Sequence, residues 1–149
     1  MQKKIPPPLY GIIFALAMWA LDSLIPSLQW LPNVGLLILL PLAIGLAAIS
    51  GALTQFIRSK TTPDPFRPDR ASTLVVSGFY QFSRNPMYFG LLMFLLSWAL
   101  YLGNILSLLC LPVFIRVLTN QQIKFEEEAL IELFGEQYEQ YMQRVRRWI

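Results

Sequence analysis

The sequence predicts an all-α membrane protein with about four transmembrane helices, the last two a tight helical hairpin, together with a cytoplasmic loop and a C-terminal amphipathic helix. Three observations carry this. Hydrophobic residues make up 55% of the 149-residue chain against 14% charged, with a mean hydropathy of +0.49, so the solvent for most of it is lipid. Four apolar stretches occur, with none of the alternation of a barrel. All 12 Lys and Arg fall in "MQKK", in the 58–84 stretch and from Arg116 onward, while "PSLQWLPN" and "YLGN" hold none.

The apolar stretches are 9–25, 34–57, 87–102 and 105–118. Each must be helical, because a backbone in hydrocarbon has to satisfy its own N–H and C=O groups. A span needs about 20 apolar residues and at least roughly 17, so the second is comfortable and the last two are short. Only Gly103 and Asn104 separate those two. They form a hairpin that either stops short of the far surface or thins the bilayer locally. The basic residues place both termini and the central loop on the cytoplasmic side, consistent with an even number of spans. The first stretch has no small-residue cleavage site and reads as a retained span rather than a signal peptide. A pI near 9.2 reflects this topology, and no basic stripe interleaved with aromatics points to nucleic acid.

The connection from 58 to 86 contains four prolines and cannot be one helix. Its "TLVVSGFYQF" portion is too apolar for disorder. It should fold back on the cytoplasmic face, with Gly78 making the turn and Tyr80 and Phe82 lodged beneath it, or serving as interfacial anchors. Pro86 suits the first position of the third helix, and Asn85 its cap. Gly90 permits close approach of a backbone or a ligand. A helix start favours anions, and Arg84 adds a carboxylate-matching fork. An ordinary cap with a snorkelling arginine fits the same residues.

A hairpin returns its ends to one side. "RNP" at 84–86 should therefore meet Glu126, Glu127 and Glu128, which follow the fourth stretch. Leu130, Leu133, Phe134, Tyr138, Tyr141, Val145 and Trp148 then recur at spacings of three and four, an amphipathic helix suited to lie on lipid as a lid. The sequence has no histidine, which excludes a His base, a His metal site and a Ser-His triad. The single cysteine, Cys110, rules out a disulfide framework and is either lipid-facing or packed. Ala47 with Gly51 and Ala48 with Ala52 permit close helix packing or a homodimer face.

"LVVSGFYQFSRNPMYFG", the apolar hairpin and "FEEEALIELFGEQYEQYMQRV" together resemble the integral-membrane methyltransferases that include isoprenylcysteine carboxyl methyltransferase and the phospholipid N-methyltransferases. The resemblance implies one methyltransferase-like domain over 1–149, with a cofactor-binding half at about 72–145. It also implies S-adenosylmethionine at the cytoplasmic mouth. Ser72, Thr73, Leu74, Val75, Tyr80, Asn85, Pro86, Met87, Tyr88, Glu126 and Glu127 would contact it, and Arg84 and Glu127 are the candidate catalytic residues. Asn85 stands where many members have histidine, which keeps a hydrogen bond but removes any protonation role. Gln122 stands where the carboxyl methyltransferase has a substrate-binding arginine. Arg116, nearly two turns earlier, is the other substrate-binding candidate.

The expected activity is methyl transfer to a membrane-dissolved acceptor, a lipid or prenyl-type molecule entering between helices in a bacterial inner membrane. A sulfonium is already activated, so positioning and water exclusion suffice and no histidine is needed. Two alternatives remain open at this stage. One is an NADPH-dependent reductase, since sterol reductases resemble the C-terminal architecture; the other is a non-catalytic membrane assembly protein.

Overall fold

A computed structural model describes residues 5–29, 35–59 and 73–149. Among these the chain is helical, with no β-strand beyond one isolated bridge between Gln29 and Asn104. The helices are α1 (Pro7–Leu24), α2 (Leu39–Arg58), α3 (Pro86–Leu102), α4 (Ile105–Leu118), α5 (Lys124–Phe134) and α6 (Glu136–Arg144). A 3-10 turn, Gly35–Ile38, leads straight into α2, and another, Gly78–Gln81, lies before α3.

Three helical stretches are long and apolar enough to cross a bilayer: Pro7–Leu24, Gly35–Arg58 and Ile105–Phe134. α3, with 17 residues, is about 26 Å long at 1.5 Å per residue, just under the roughly 30 Å hydrocarbon core. It is nevertheless the centre of the bundle, packed by α2 on one side and by α1 and α4 on the other. The outward surfaces are greasy, with Leu36 82%, Leu40 62% and Leu109 58% exposed. So large an apolar surface is untenable in water and ordinary in lipid, and the chain is an integral membrane protein.

The α2–α3 contact is backbone on backbone. A Cβ added to Gly90 would lie 2.8 Å from the Gly45 carbonyl oxygen, and one on Gly45 would lie 2.8 Å from that of Gly90. The close approach expected of Gly90 is thus made to another helix. Ala48 and Ala52 continue this face with no exposed surface, so that pair is used inside the bundle rather than between copies. Gly51 is covered by the ring of Phe79.

The hairpin turns where the sequence places it. Gly103 takes the left-handed conformation (φ 72°) and Asn104 caps α4, accepting the Leu106 N–H at 3.0 Å. The Asn104 Nδ2 donates to Ile25 O and to Asp22 Oδ1, locking the end of α1 to the turn.

Beyond the hairpin the expectations need correcting. The fourth helix does not stop at Leu118: it runs through a π turn, Thr119–Ile123, into α5, giving one rod over Ile105–Phe134. An unbroken α-helix would carry the inner face from Phe114 and Leu118 to positions 121 and 125. Gln121 and Phe125 are instead exposed. The wider turn brings Gln122, Ile123 and Glu127 inward. Nor is there a continuous surface lid over 130–148. Gly135 (φ 51°, ψ −129°) breaks the helix, and Tyr138 and Tyr141, each 3% exposed, pack against Ala52, Val75 and Tyr80. The apolar stripe is real but meets protein, not lipid.

Candidate functional site

The site forms where the start of α3, the π turn with α5, α6 and the residues after α6 meet. The 3-10 turn at Gly78 supplies one wall. Gly78 has φ 62°, and an added Cβ would strike the Gln55 side chain on α2. The turn buries Tyr80 beneath itself, where its ring meets Phe56 edge-on, the centroids 5.5 Å apart. Tyr141 donates from its hydroxyl to the Tyr80 carbonyl at 2.6 Å. Phe82, expected beside Tyr80, is 71% exposed and takes no part.

Arg84 and the acidic pair do meet. The Arg84 guanidinium lies 3.1 Å from Glu127 Oε1, both side chains 9% exposed. Glu127 also receives a second arginine. Arg147 donates from Nη2 to Oε2 at 2.6 Å and from Nε to Oε1 at 3.0 Å, a side-on bidentate pair. The adjacent Glu126 points elsewhere: its Oε1 accepts from the Tyr88 hydroxyl at 2.6 Å and from Gln122 Nε2 at 2.5 Å. The two carboxylates thus have distinct partners: Glu127 lies between two guanidiniums, and Glu126 accepts from Tyr88 and Gln122. Glu128 is exposed and stands outside the group.

Asn85 does not cap α3 with its side chain. Its Nδ2 donates instead to the Arg147 carbonyl at 3.0 Å, and its own N–H goes to Ser83 Oγ at 3.1 Å. The Arg84 N–H donates to Arg146 O at 3.0 Å, and Trp148 Nε1 to Thr119 Oγ1 at 3.1 Å. Residues 145–148 therefore form a strap from the α3 start to the π turn. Ser83, Tyr138, Tyr141 and Arg147 are site members the sequence reading leaves out. "RVRRWI" signalled positive charge and the end of the apolar stripe, because nothing in a helical period says that the chain reverses over α3.

The remaining candidates divide. Pro86 and Val75 are buried, Leu74 and Met87 partly buried, and Thr73 exposed at the edge of the described residues; Ser72 lies outside them. Gln122 is fully buried beside Glu126. Arg116 is exposed on the other face of α4, lining an open groove of about 430 Å³ with Pro112, Val113, Val117, Asn120 and Gln121. The two substrate candidates are not brought together.

Burial, followed by the nearby Tyr141 and Glu126, raises the Tyr80 phenol well above its ordinary pKa. Tyr138 is raised by burial and then by Glu127, and Tyr141 by burial and then by Tyr138. These phenols are neutral hydrogen-bonding groups, not bases. Arg147 is raised chiefly by its hydrogen bond to Glu127. No cluster of residues able to hold a metal ion occurs among the described residues.

Chemically, the arrangement offers a carboxylate edged by tyrosines at one end and two guanidiniums at the other, suited to a small ligand carrying charges of both signs. Comparison with known proteins agrees with the architecture. The phospholipid methyltransferase family model matches residues 34–137. An uncharacterized protein of Haemophilus influenzae is 48% identical over 63 residues, covering 42% of this chain and all of that protein. The protein-S-isoprenylcysteine O-methyltransferase of Schizosaccharomyces pombe is 31% identical over 70% of this chain and 44% of its own length. Protein-S-isoprenylcysteine O-methyltransferase B of Arabidopsis thaliana is 31% identical over 78% of this chain and 57% of its own. The chain thus spans about half the length of those two enzymes. No solved structure matches significantly. With a family match across most of the sequence and the motif residues gathered at one mouth, the chain belongs to the phospholipid methyltransferase family.

Proposed function

We propose that this protein transfers a methyl group from S-adenosylmethionine to a lipid or prenyl-type acceptor dissolved in the membrane, at the cytoplasmic face of a bacterial inner membrane. The observation that carries the proposal is the convergence of Arg84, Tyr88, Gln122, Glu126 and Glu127 from two ends of an apolar hairpin. The chain would act as one domain, with residues 72–145 holding the donor.

The residues present fit that donor. The Glu126 carboxylate, beside Tyr88 and Gln122, is the group that would attract an ammonium or sulfonium, and the buried faces of Tyr80, Tyr88 and Tyr138 suit the same charge. Arg84 and the side-chain-uncapped start of α3 suit a carboxylate. When bound, S-adenosylmethionine supplies an activated methyl group on a sulfonium. Tyr80, Tyr88 and Tyr138 exclude water from that end, and Glu126 with Gln122 fixes orientation. Proton removal from the acceptor asks little of the protein, in keeping with three phenols held neutral by burial.

The test is thermal stability of the detergent-purified protein with S-adenosylhomocysteine or NADPH. Stabilisation by the former alone supports methyl transfer, and stabilisation by NADPH alone replaces it with a reductase. Labelled S-adenosylmethionine given to membranes, followed by lipid extraction, then identifies the acceptor class.

A further inference from the structure

We propose that Arg147, together with Arg84, is the receptor for the carboxylate of the methyl donor's amino-acid moiety, and that Glu127 is the positioning residue that holds both guanidiniums. This deepens the methyl-donor reading above and rests on it.

Glu127 lies between Arg84 and Arg147, so two formal positive charges face one negative and the trio is left with a net charge of +1. Two of its three side chains are only 9% exposed and the third is 34% exposed. An uncompensated charge at such depth is unfavourable unless an anion joins it. Glu126 does not fill that role, being hydrogen-bonded to Tyr88 and Gln122 instead.

Donor geometry gives an independent indication. Arg84 Nε is buried with no hydrogen-bond partner among the described residues. Arg147 engages Glu127 through Nε and Nη2, so Nη1 takes no part in that pair. The first turn of α3 begins with Pro86 and receives no side-chain cap, because the Asn85 amide is drawn away to the Arg147 carbonyl. Guanidinium and helix-start donors thus lie within a few residues of one another. A planar carboxylate matches that set. Tyr138 lies within electrostatic reach of both arginines and both glutamates, which places the cationic and anionic ends of the site around one buried ring.

The arrangement also assigns different duties to the two glutamates. Glu127 is engaged by its arginines and acts through them, while Glu126, held by Tyr88 and Gln122, is the carboxylate that would face the donor's cationic groups. Arg147 is carried by the strap, which is tied to the α3 start by Arg84 N–H to Arg146 O. A ligand carboxylate binding there would hold the strap down.

The test pairs a change in the protein with a change in the ligand. Binding of S-adenosylhomocysteine and of its decarboxylated analogue is measured by calorimetry on the full chain in phosphatidylcholine nanodiscs. For the unaltered protein the analogue should bind at least about tenfold more weakly, the loss of its charge-assisted contacts to the two guanidiniums. Arg147→Ala should weaken S-adenosylhomocysteine by a similar factor and leave the analogue unchanged, and Arg147→Lys should recover part of the loss. Equal binding of both ligands by the unaltered protein overturns the proposal without requiring any variant to fold. An equal loss of both ligands in Arg147→Ala also overturns it, because that marks a structural role. A carboxylate preference that disappears when phosphatidylglycerol is added would assign the cations to a lipid phosphate instead. If the unaltered protein binds neither ligand, the methyl-donor reading itself fails, and this assignment with it.

Discussion

At the scale of single residues, the two adjacent glutamates are chemically unlike. Glu127 pairs with two arginines and is itself only 9% exposed. Replacing it with Gln leaves a buried guanidinium without its counter-charge, a change expected to cost about 3 kcal/mol in denaturation measured in mixed micelles. Glu126→Gln keeps an acceptor for Tyr88 and Gln122, so stability should fall less than in Glu127→Gln while donor binding falls. Similar stability losses in both variants would contradict the division of roles. The tyrosines add a pH prediction. Tyr80, Tyr138 and Tyr141 have raised pKa values in the fold, mainly through burial. A group raised above its unfolded value contributes stability fully below that unfolded value, near 10 for tyrosine, and the contribution is lost as pH climbs toward the folded value. Stability should therefore fall above about pH 10, and tyrosinate absorbance from these three should appear together with unfolding. Their ionisation in a folded protein at pH 10 would refute the packing of the site.

At the scale of elements, what the sequence made legible was what depends on local chemistry. The apolar stretches became helices, Gly103 and Asn104 made the hairpin turn, and Gly78 made the turn over Tyr80. Less legible was whatever depends on a reversal or on a partner. The π turn at Thr119–Ile123 leaves no mark in "TNQQI", yet it sets the face on which Gln122 and Glu127 lie. The spacing of Tyr138 and Tyr141 was correctly helical, but spacing does not distinguish lipid from the underside of α2 and the Gly78 turn. Gly90 had two readings, and the structure gives it to packing against Gly45. Gly90→Ala should lower stability by about 2 kcal/mol, because the new methyl meets a helix backbone that cannot rotate away as a side chain would. Unchanged unfolding would show that α2 and α3 are more loosely apposed than described. The same substitution at Gly35, where nothing lies within 4 Å of an added Cβ, tests conformation alone.

At the scale of the whole molecule, the hairpin explains how so apolar a chain assembles a polar site. α3 and α4 carry almost no charge across the bilayer, and their near ends bring Arg84 to within 3.1 Å of Glu127. At the far end, Asn104 and Asp22 fasten α1 to the turn. The family's Glu-Glu and Asn-Pro motifs were legible as a pair because two-way topology forces them together. Arg147 was not, since only the folded strap reveals it. The proposed orientation, drawn from the distribution of basic residues, puts the mouth in the cytoplasm, and under it reporters fused after residue 59 should be active only in their cytoplasmic form. Activity from the opposite side would invert the proposed orientation.

The most direct measurement is equilibrium binding of S-adenosylhomocysteine to the purified full chain, compared with Glu126→Gln and Arg84→Ala. Saturable binding that each substitution weakens about tenfold or more is the predicted result. Absence of binding by the unaltered protein, or binding indifferent to both substitutions, would contradict the claim that this mouth holds the methyl donor.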